Sequence, residues 1–296
     1  MARDGSGAIY LGYDKKGLDA QYNNRARFPN FVHHFDAWKE WSKAARSALP
    51  GAVDVPFGPT PEEKVDIFPA AGLGAPLYVF IHGGYWYSLD KSDYSYIAEG
   101  IRPHDIATAV NNFGLAPAFD MDEIVRQNRA AFAWLWRNAA ANGYDRNRIY
   151  VAGHSAGGHL AAMLLATDWP ALGSDLPVDL VKGACAIGGI FDLEPIRLSY
   201  LNEKLHLTPG QVERHSPLRQ TYPMPAPLLL VVAADESEEF HRQSAEMEQF
   251  WMRLDFPVSL VVPSGLDHFD VVNQLRDPDC SLVKLQLDHM RSCFAA

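Results

Sequence analysis

Cysteine is scarce in this sequence, and the motifs that usually hold metals or nucleotides are missing. The three cysteines, Cys185, Cys280 and Cys293, are an odd-numbered set without the spacing of a metal site. This usage predicts reduced thiols in a cytosolic protein. There is no HExxH, CxxC or glycine-rich phosphate loop, so we expect neither a metal nor a nucleotide cofactor.

Basic charge and long apolar stretches are also lacking. The 26 lysines and arginines are outnumbered by 36 aspartates and glutamates, and the net charge of −10 argues against a nucleic-acid partner. No stretch approaches the roughly 18 consecutive apolar residues of a membrane helix. The first residues, MARDGSGAIYLGYDKK, lack the apolar centre of a signal peptide. We therefore expect a small-molecule partner, while nothing in the sequence indicates an oligomeric state.

Apolar, β-rich runs alternate along the chain with helical patterns. Runs such as PLLLVVA and VSLVV are near-continuous, as expected of strands covered on both faces. Helical spacing with acidic first turns marks residues 121–143 and 238–254. This alternation predicts one α/β domain over residues 1–296, a doubly wound, mostly parallel sheet with helices on both faces. The predicted strands are 65–69, 77–82, 106–113, 148–153, 183–189, 227–233 and 258–263.

Two segments are candidates for a small lid. Residues 1–50 form an aromatic, helical arm before the sheet, which either contributes to a lid over the carboxyl edge of the strands or serves as a structural arm. Residues 192–217 follow a predicted strand, and they either complete the lid or only connect two elements.

The stretch RIYVAGHSAGGHLAAMLLA, residues 148–166, contains G-x-S-x-G between a predicted strand and an alanine-rich helix. In that context the turn is so tight that Ser155 takes a strained backbone conformation, and Gly153 and Gly157 relieve the crowding. The hydroxyl then stands at the start of a helix, where free N–H groups favour negative charge. We therefore predict that Ser155 is a catalytic nucleophile.

A serine hydroxyl needs a base, and the base needs an orienting acid. Hydrolases with this turn carry the acid and then the histidine on loops after later strands. The strand in VSLVVPSGLDHFDVV is followed by His268, and the strand in APLLLVVAADESEEF is followed by Asp235 and Glu236. If Ala233 replaces the usual strand-ending glycine, the acid expected three residues later is Glu236, with Asp235 as the alternative.

The stretch FIHGGYWYSL, residues 80–89, leaves a buried strand through Gly83 and Gly84. A tetrahedral intermediate needs backbone N–H donors aimed at its oxyanion, and glycine lets the backbone approach closely. We expect an oxyanion hole made by Gly83, Gly84 and Ala156, the residue after the nucleophile. Tyr85 and Trp86 continue this loop, and they either wall the substrate pocket or pack in the interior.

Five segments carry a resemblance to a known family: HGGYW, GHSAGGH, SEEFHRQS, GLDHFDVV and YNNRARFPNF. They resemble the kynurenine formamidase branch of the α/β-hydrolases, which is close to the hormone-sensitive-lipase-like esterases. The resemblance covers nearly the whole chain, implies the α/β-hydrolase fold, and places the acid of the branch at Glu236. Phe113 departs from the pattern, because relatives often carry a tyrosine there and its hydroxyl is missing here.

These features predict a serine hydrolase that cleaves a small acyl group through an acyl-enzyme. The resemblance implies an arylformamidase whose substrate is an N-formyl arylamine such as N-formylkynurenine, so that the leaving group is aromatic. Two alternatives remain: a carboxylesterase for short-chain or aryl esters, and a non-catalytic small-molecule-binding protein, which the complete triad disfavours. Arg25 and Arg27 either meet a substrate carboxylate or have solvated or structural roles.

Overall fold

A single sheet organises the protein, whose computed structural model describes residues 7–295. The strands within this range are β1 (Ala52–Pro56), β2 (Lys64–Phe68), β3 (Ala75–Ile81), β4 (Ala107–Asn111), β5 (Tyr144–His154), β6 (Ala184–Ile187), β7 (Leu228–Val231) and β8 (Val258–Val261). They lie in the order β1-β2-β4-β3-β5-β6-β7-β8. The pairs β1–β2 and β2–β4 are antiparallel, and the other neighbours are parallel. The predicted doubly wound, mostly parallel sheet is thereby confirmed.

The seven predicted strands overlap β2 to β8, but the sequence did not indicate β1. Four of the five residues in Ala52–Pro56 are exposed, because β1 lies at the edge of the sheet. An exposed edge strand needs no continuous apolar run, and such a run was the signal used for the other strands.

Helices pack on both faces of this sheet. The predicted helix over residues 121–143 ends earlier, at Arg137, and a separate short turn, Ala140–Asn142, follows it. None of the helices within residues 7–295 is both long enough and apolar enough to cross a membrane. The helices are α1 (Lys15–Tyr22), α2 (Asn24–Arg27), α3 (Phe31–Ala48), α4 (Ile97–Ile101), α5 (Met121–Arg137), α6 (Ala156–Leu165), α7 (Trp169–Leu172), α8 (Glu194–Leu198), α9 (Asn202–Leu205), α10 (Pro209–His215), α11 (Glu238–Arg253), α12 (Asp270–Asn273) and α13 (Ser281–Ala295).

Strand β3 shows how the core divides into two layers. Side chains alternate along a strand, so successive residues face opposite sides of the sheet. Leu77, Val79 and Ile81 belong to the core that also includes buried residues of α5, α6 and α11. Tyr78 and Phe80 belong to the core that includes buried residues of α3, α4, α12 and α13.

Residues 15–48, here called the N-terminal crossover segment, pass from one helical layer to the other. α1 contacts α11, where the Tyr22 hydroxyl donates to Glu239 Oε2 at 2.8 Å. α3 lies in the opposite layer, where Trp38 Nε1 donates to Asn273 Oδ1 at 2.5 Å. α2 joins these two helices and borders the cavity described below. The segment therefore crosses the carboxyl edge of the parallel strands.

Candidate active site

Ser155 lies between the last residue of β5 and the first residue of α6. Its backbone has a φ of 56° and a ψ of −116°, a conformation that residues other than glycine rarely adopt. A β-carbon added at Gly153 would lie 2.1 Å from the carbonyl oxygen of Gly157, and one added at Gly157 would lie 2.0 Å from that of Ile81. The tight turn therefore requires glycine at both flanking positions.

The loops after β7 and β8 bring an acid and a histidine together. His268 Nδ1 lies 2.8 Å from Glu236 Oε2, and both side chains are buried. Asp235, the alternative acid, is exposed and makes no side-chain hydrogen bond within residues 7–295. A carboxylate beside Nδ1 keeps a proton on that nitrogen, which leaves Nε2 available as a base.

Gly188, the residue after β6, leaves room for this pair. Its φ is +54°, and an added β-carbon would lie 2.8 Å from Glu236 Oε1 and 3.1 Å from His268 Nδ1. Gly188 could not be singled out from the sequence, because the side chains that crowd it come from two distant loops. Its place near the end of a predicted strand, where active-site loops begin, was the available signal.

His154 holds the loop that carries His268. Its Nε2 lies 2.8 Å from the His268 carbonyl oxygen, so Nε2 carries the proton in this hydrogen bond. Burial lowers the pKa of His154 well below its ordinary value, which keeps the ring neutral. Nδ1 is consequently an acceptor, and it is buried without a hydrogen-bond partner in the described part of the chain.

Ser155 and His268 border one cavity, of which about 30 Å³ is open to a water-sized sphere. Among residues 7–295, no hydrogen bond joins the Ser155 hydroxyl directly to the His268 ring. Catalytic hydrogen bonds are often long without substrate and tighten when substrate binds. A volume of this size holds about two water molecules, so the cavity must widen to admit an aryl group.

Aromatic side chains form much of the cavity wall, and two of them come from the N-terminal crossover segment. Phe35 and Trp38 lie on one face of α3 with ring centroids 5.1 Å apart, and Phe35 lies 5.7 Å from Phe269. The aromatic character of this arm was evident from the sequence, but its rings were not predicted to lie at the site. Their spacing of three residues on one helix was the signal that could have grouped them.

The loop after β3 lies against Ser155, but only part of it borders the cavity. A β-carbon at Gly83 would lie 3.1 Å from Ser155 Cβ. Gly84 and Tyr85 border the cavity, whereas Gly83 does not. The missing side chain at Gly83 therefore serves the close approach to Ser155, and its N–H remains a predicted oxyanion donor.

The other two predicted donors are the N–H groups of Gly84 and Ala156. Gly84 has a φ of +108°, and a β-carbon there would lie 2.0 Å from the carbonyl oxygen of Ser88. Ala156 is the first residue of α6, so its N–H is one of the donors that a helix leaves free in its first turn. Both N–H groups lack a protein acceptor in the part of the chain that the structure describes.

Tyr85 and Trp86 have different surroundings. Tyr85 borders the cavity, and its hydroxyl donates to the carbonyl oxygen of Tyr22 at 2.7 Å. Trp86 is fully buried and does not border the cavity. Its Nε1 donates to His159 Nδ1 at 3.2 Å, inside the core. Of the two interpretations that the sequence left open, interior packing describes Trp86, because the indole finds its acceptor on α6.

One group of side chains brings possible metal ligands together. Ligand atoms of His34, Asp267 and Asp270 all lie within 4.8 Å of one another. Asp267 Oδ1 already accepts the N–H groups of Phe269 and Asp270, and His34 Nδ1 lies 3.0 Å from the side-chain amide of Asn273. These contacts brace the loop that follows His268.

A parallel sheet that carries a strained serine after one strand and a histidine–acid pair after two later strands defines a hydrolase of the α/β class. A family model described as BD-FAE matches residues 65–175. The solved structure of a candidate thioesterase from Silicibacter sp. tm1040 is similar, with 29% identity and a TM-score of 0.80. The match covers 90% of this chain and 97% of that chain.

Two similar sequences identify the branch. The kynurenine formamidase of Danio rerio is 33% identical over 262 residues, which cover 86% of this chain and 87% of the relative. The kynurenine formamidase of Salmo salar is 32% identical over 284 residues, which cover 92% of this chain and 93% of the relative. The chain belongs to the kynurenine formamidase family, which confirms the resemblance seen in its sequence.

Proposed function

We propose that this protein hydrolyses N-formyl arylamines of the N-formylkynurenine type through a formyl-enzyme on Ser155. The observation that carries the proposal is a narrow, aromatic-walled cavity with Ser155 and His268 on its surface. A formyl group has only hydrogen on its acyl side, so it fits a narrow site, and the aromatic wall suits an aryl leaving group. The relatives named above support the same substrate class.

In the proposed reaction, His268 Nε2 takes the proton from the Ser155 hydroxyl as the oxygen attacks the formyl carbon. Glu236 holds the ring through Nδ1 and stabilises the imidazolium that forms. The N–H groups of Gly83, Gly84 and Ala156 bind the oxyanion. His268 then protonates the leaving arylamine. Water attacks the formyl-enzyme with His268 as base, and formate is released.

The N-terminal crossover segment acts in this proposal as part of a lid. Phe35 and Trp38 belong to this segment and also form part of the cavity wall. Outward movement of α2 and α3 would therefore open the small cavity, and their return would exclude water from the formyl-enzyme. Residues 192–217, which contain α8 to α10, are the second candidate for the lid.

We propose a cytosolic location for the protein, because Cys185, Cys280 and Cys293 are all free thiols. It excludes the non-catalytic alternative, because a binding protein has no need of a strained serine beside a buried histidine–carboxylate pair. A carboxylesterase for short-chain or aryl esters would use the same three side chains, so the choice between the two activities rests on substrate comparison.

The test compares kcat/KM for N-formylkynurenine, formanilide, acetanilide, 4-nitrophenyl acetate and 4-nitrophenyl butyrate on one preparation, with Ser155→Ala as the blank. A formamidase should lose activity steeply from formanilide to acetanilide, because an acyl site shaped for hydrogen rejects the added methyl group by overlap. Efficient butyrate hydrolysis with no turnover of either formamide would replace the proposal with the carboxylesterase alternative.

A further inference from the structure

One cationic side chain borders the same cavity as Ser155. Arg25 lies on α2, and it is the only lysine or arginine among the residues that border the cavity within the described range. It takes part in no ion pair among residues 7–295. The whole chain carries a net charge of −10, so an arginine without a carboxylate partner beside the nucleophile calls for an explanation.

Contacts on two sides hold the Arg25 guanidinium at the mouth of the cavity. The guanidinium carbon lies 5.5 Å from the ring centroids of Phe31 and of Phe35, within the range of cation–π attraction. One terminal nitrogen donates to the Ser88 hydroxyl at 3.3 Å. The side chain is nevertheless exposed, so the remaining N–H groups are available to a ligand.

Two tyrosines, Tyr87 and Tyr200, interact electrostatically with Arg25. Burial raises the pKa of Tyr87 and of Tyr200, and the charge of Arg25 opposes both rises. Neither phenol borders the cavity itself. The Tyr87 hydroxyl has no hydrogen-bond partner within the described range.

We infer that Arg25 binds a carboxylate on the arylamine part of the substrate, and that the enzyme prefers N-formyl arylamines that carry one. This inference rests on the proposed function. A formyl group carries no substituent other than hydrogen, so any charged group of the substrate must lie on the leaving arylamine. A guanidinium presents a planar fork of donors that matches a carboxylate.

The chain offers a matched control two residues away. Arg27 is also an exposed arginine on α2, but it borders a separate surface groove with Lys16 and Asp19. Substitution of Arg27 changes the net charge by the same amount without touching the cavity. Any effect specific to Arg25 is therefore an effect of position.

The experiment measures kcat/KM for 4-carboxyformanilide and for formanilide in wild type, Arg25→Gln, Arg25→Lys and Arg27→Gln, with thermal melting to verify folding. We expect Arg25→Gln to lower the ratio of the charged to the neutral substrate by about 10- to 100-fold, mainly through KM, since hydrogen bonds to charged groups are of that strength. Arg25→Lys should restore part of the ratio, and Arg27→Gln should keep it. Added salt should reduce the ratio in wild type and not in Arg25→Gln.

The inference would be overturned if Arg25→Gln left the ratio of kcat/KM for the charged and the neutral substrate unchanged. An equal loss of kcat/KM for both substrates would leave that ratio unchanged, and it would mean that Arg25 only holds α2 in place. If wild type cleaves neither formamide, the proposed function fails separately. The pair 4-acetoxybenzoate and phenyl acetate then measures the same charge preference on esters. If wild type prefers 4-acetoxybenzoate and Arg25→Gln does not, Arg25 is still the carboxylate-binding residue.

Discussion

Substitution of Gly188 by alanine tests the proposed histidine–acid pair without changing either member. The new methyl group would lie 2.8 Å from Glu236 Oε1 and 3.1 Å from His268 Nδ1, closer than side-chain contacts normally come. Neither neighbour has free space, because both are buried. The pair must therefore shift by several tenths of an ångström, and a misplacement on the order of 1 Å can cost about 100-fold in rate.

We expect Gly188→Ala to lower kcat on the best substrate by roughly 10- to 100-fold with little change in KM. Because Gly188 has a left-handed backbone conformation, the alanine variant should also be less stable by about 1–2 kcal/mol. This loss of stability is separate from the loss of catalysis and needs its own control. Gly74→Ala is the matched control, because Gly74 has a φ of +69° and open space where the methyl group would lie.

The assay measures kcat, KM and the urea midpoint of unfolding for both variants and wild type. Gly74→Ala should lose similar stability and keep its kcat. If Gly188→Ala also kept its kcat, the close fit between Gly188, Glu236 and His268 would have no part in catalysis, and the argument from their distances would fail.

Three further predictions concern single side chains. Ser155→Ala should lower kcat by about 10⁴-fold or more, and a fluorophosphonate should label wild type but not this variant; labelling of another serine would contradict the assignment. Glu236→Gln should cost more than about ten times as much activity as Asp235→Asn, because only Glu236 contacts His268; the reverse order would make Asp235 the acid. Burial lowers the pKa of His159 to about 3, whereas a histidine in the unfolded chain has a pKa near 6.5. Below about pH 6.5 the unfolded chain therefore binds a proton that the folded protein does not, and the free energy of unfolding should fall. The free energy of unfolding should be about 2 kcal/mol lower at pH 5 than at pH 7 as a result. The urea midpoints of unfolding at these two pH values should therefore differ less in His159→Gln than in wild type. Equal differences in the two proteins would show that His159 is not the source of the pH dependence.

The local features of the site could be predicted, because their causes lie within a few residues of the chain. The turn at Ser155 depends on glycines two residues before and after it, and the preference for Glu236 over Asp235 followed from spacing after one strand. The fold class followed from the alternation of apolar runs with helical patterns, and the structure confirms it.

Features that depend on contacts between distant segments could not be predicted in this way. Trp86 packs inside the core because its acceptor, His159, lies on a different element. The close approach of Gly83 to Ser155 brings together two loops that are about 70 residues apart in the sequence. The aromatic wall from α3 depends on docking against α12, which lies 235 residues away in sequence, as the hydrogen bond from Trp38 to Asn273 shows. Sequence periodicity contains no information about such pairs.

The N-terminal crossover segment has a consequence for biosynthesis. It is synthesised first, yet some of its partners are synthesised much later: Tyr22 contacts Glu239, and Trp38 contacts Asn273. Contacts this distant in sequence form late in folding. Trp38 and Trp41 can pack earlier against Tyr94 and Tyr96. On the ribosome, we therefore expect only the part of α3 that packs on Phe269, such as Phe35, to stay exposed until nearly the whole chain has emerged, where chaperones can protect it. The nascent chain would complete the wall of its cavity as its final folding step.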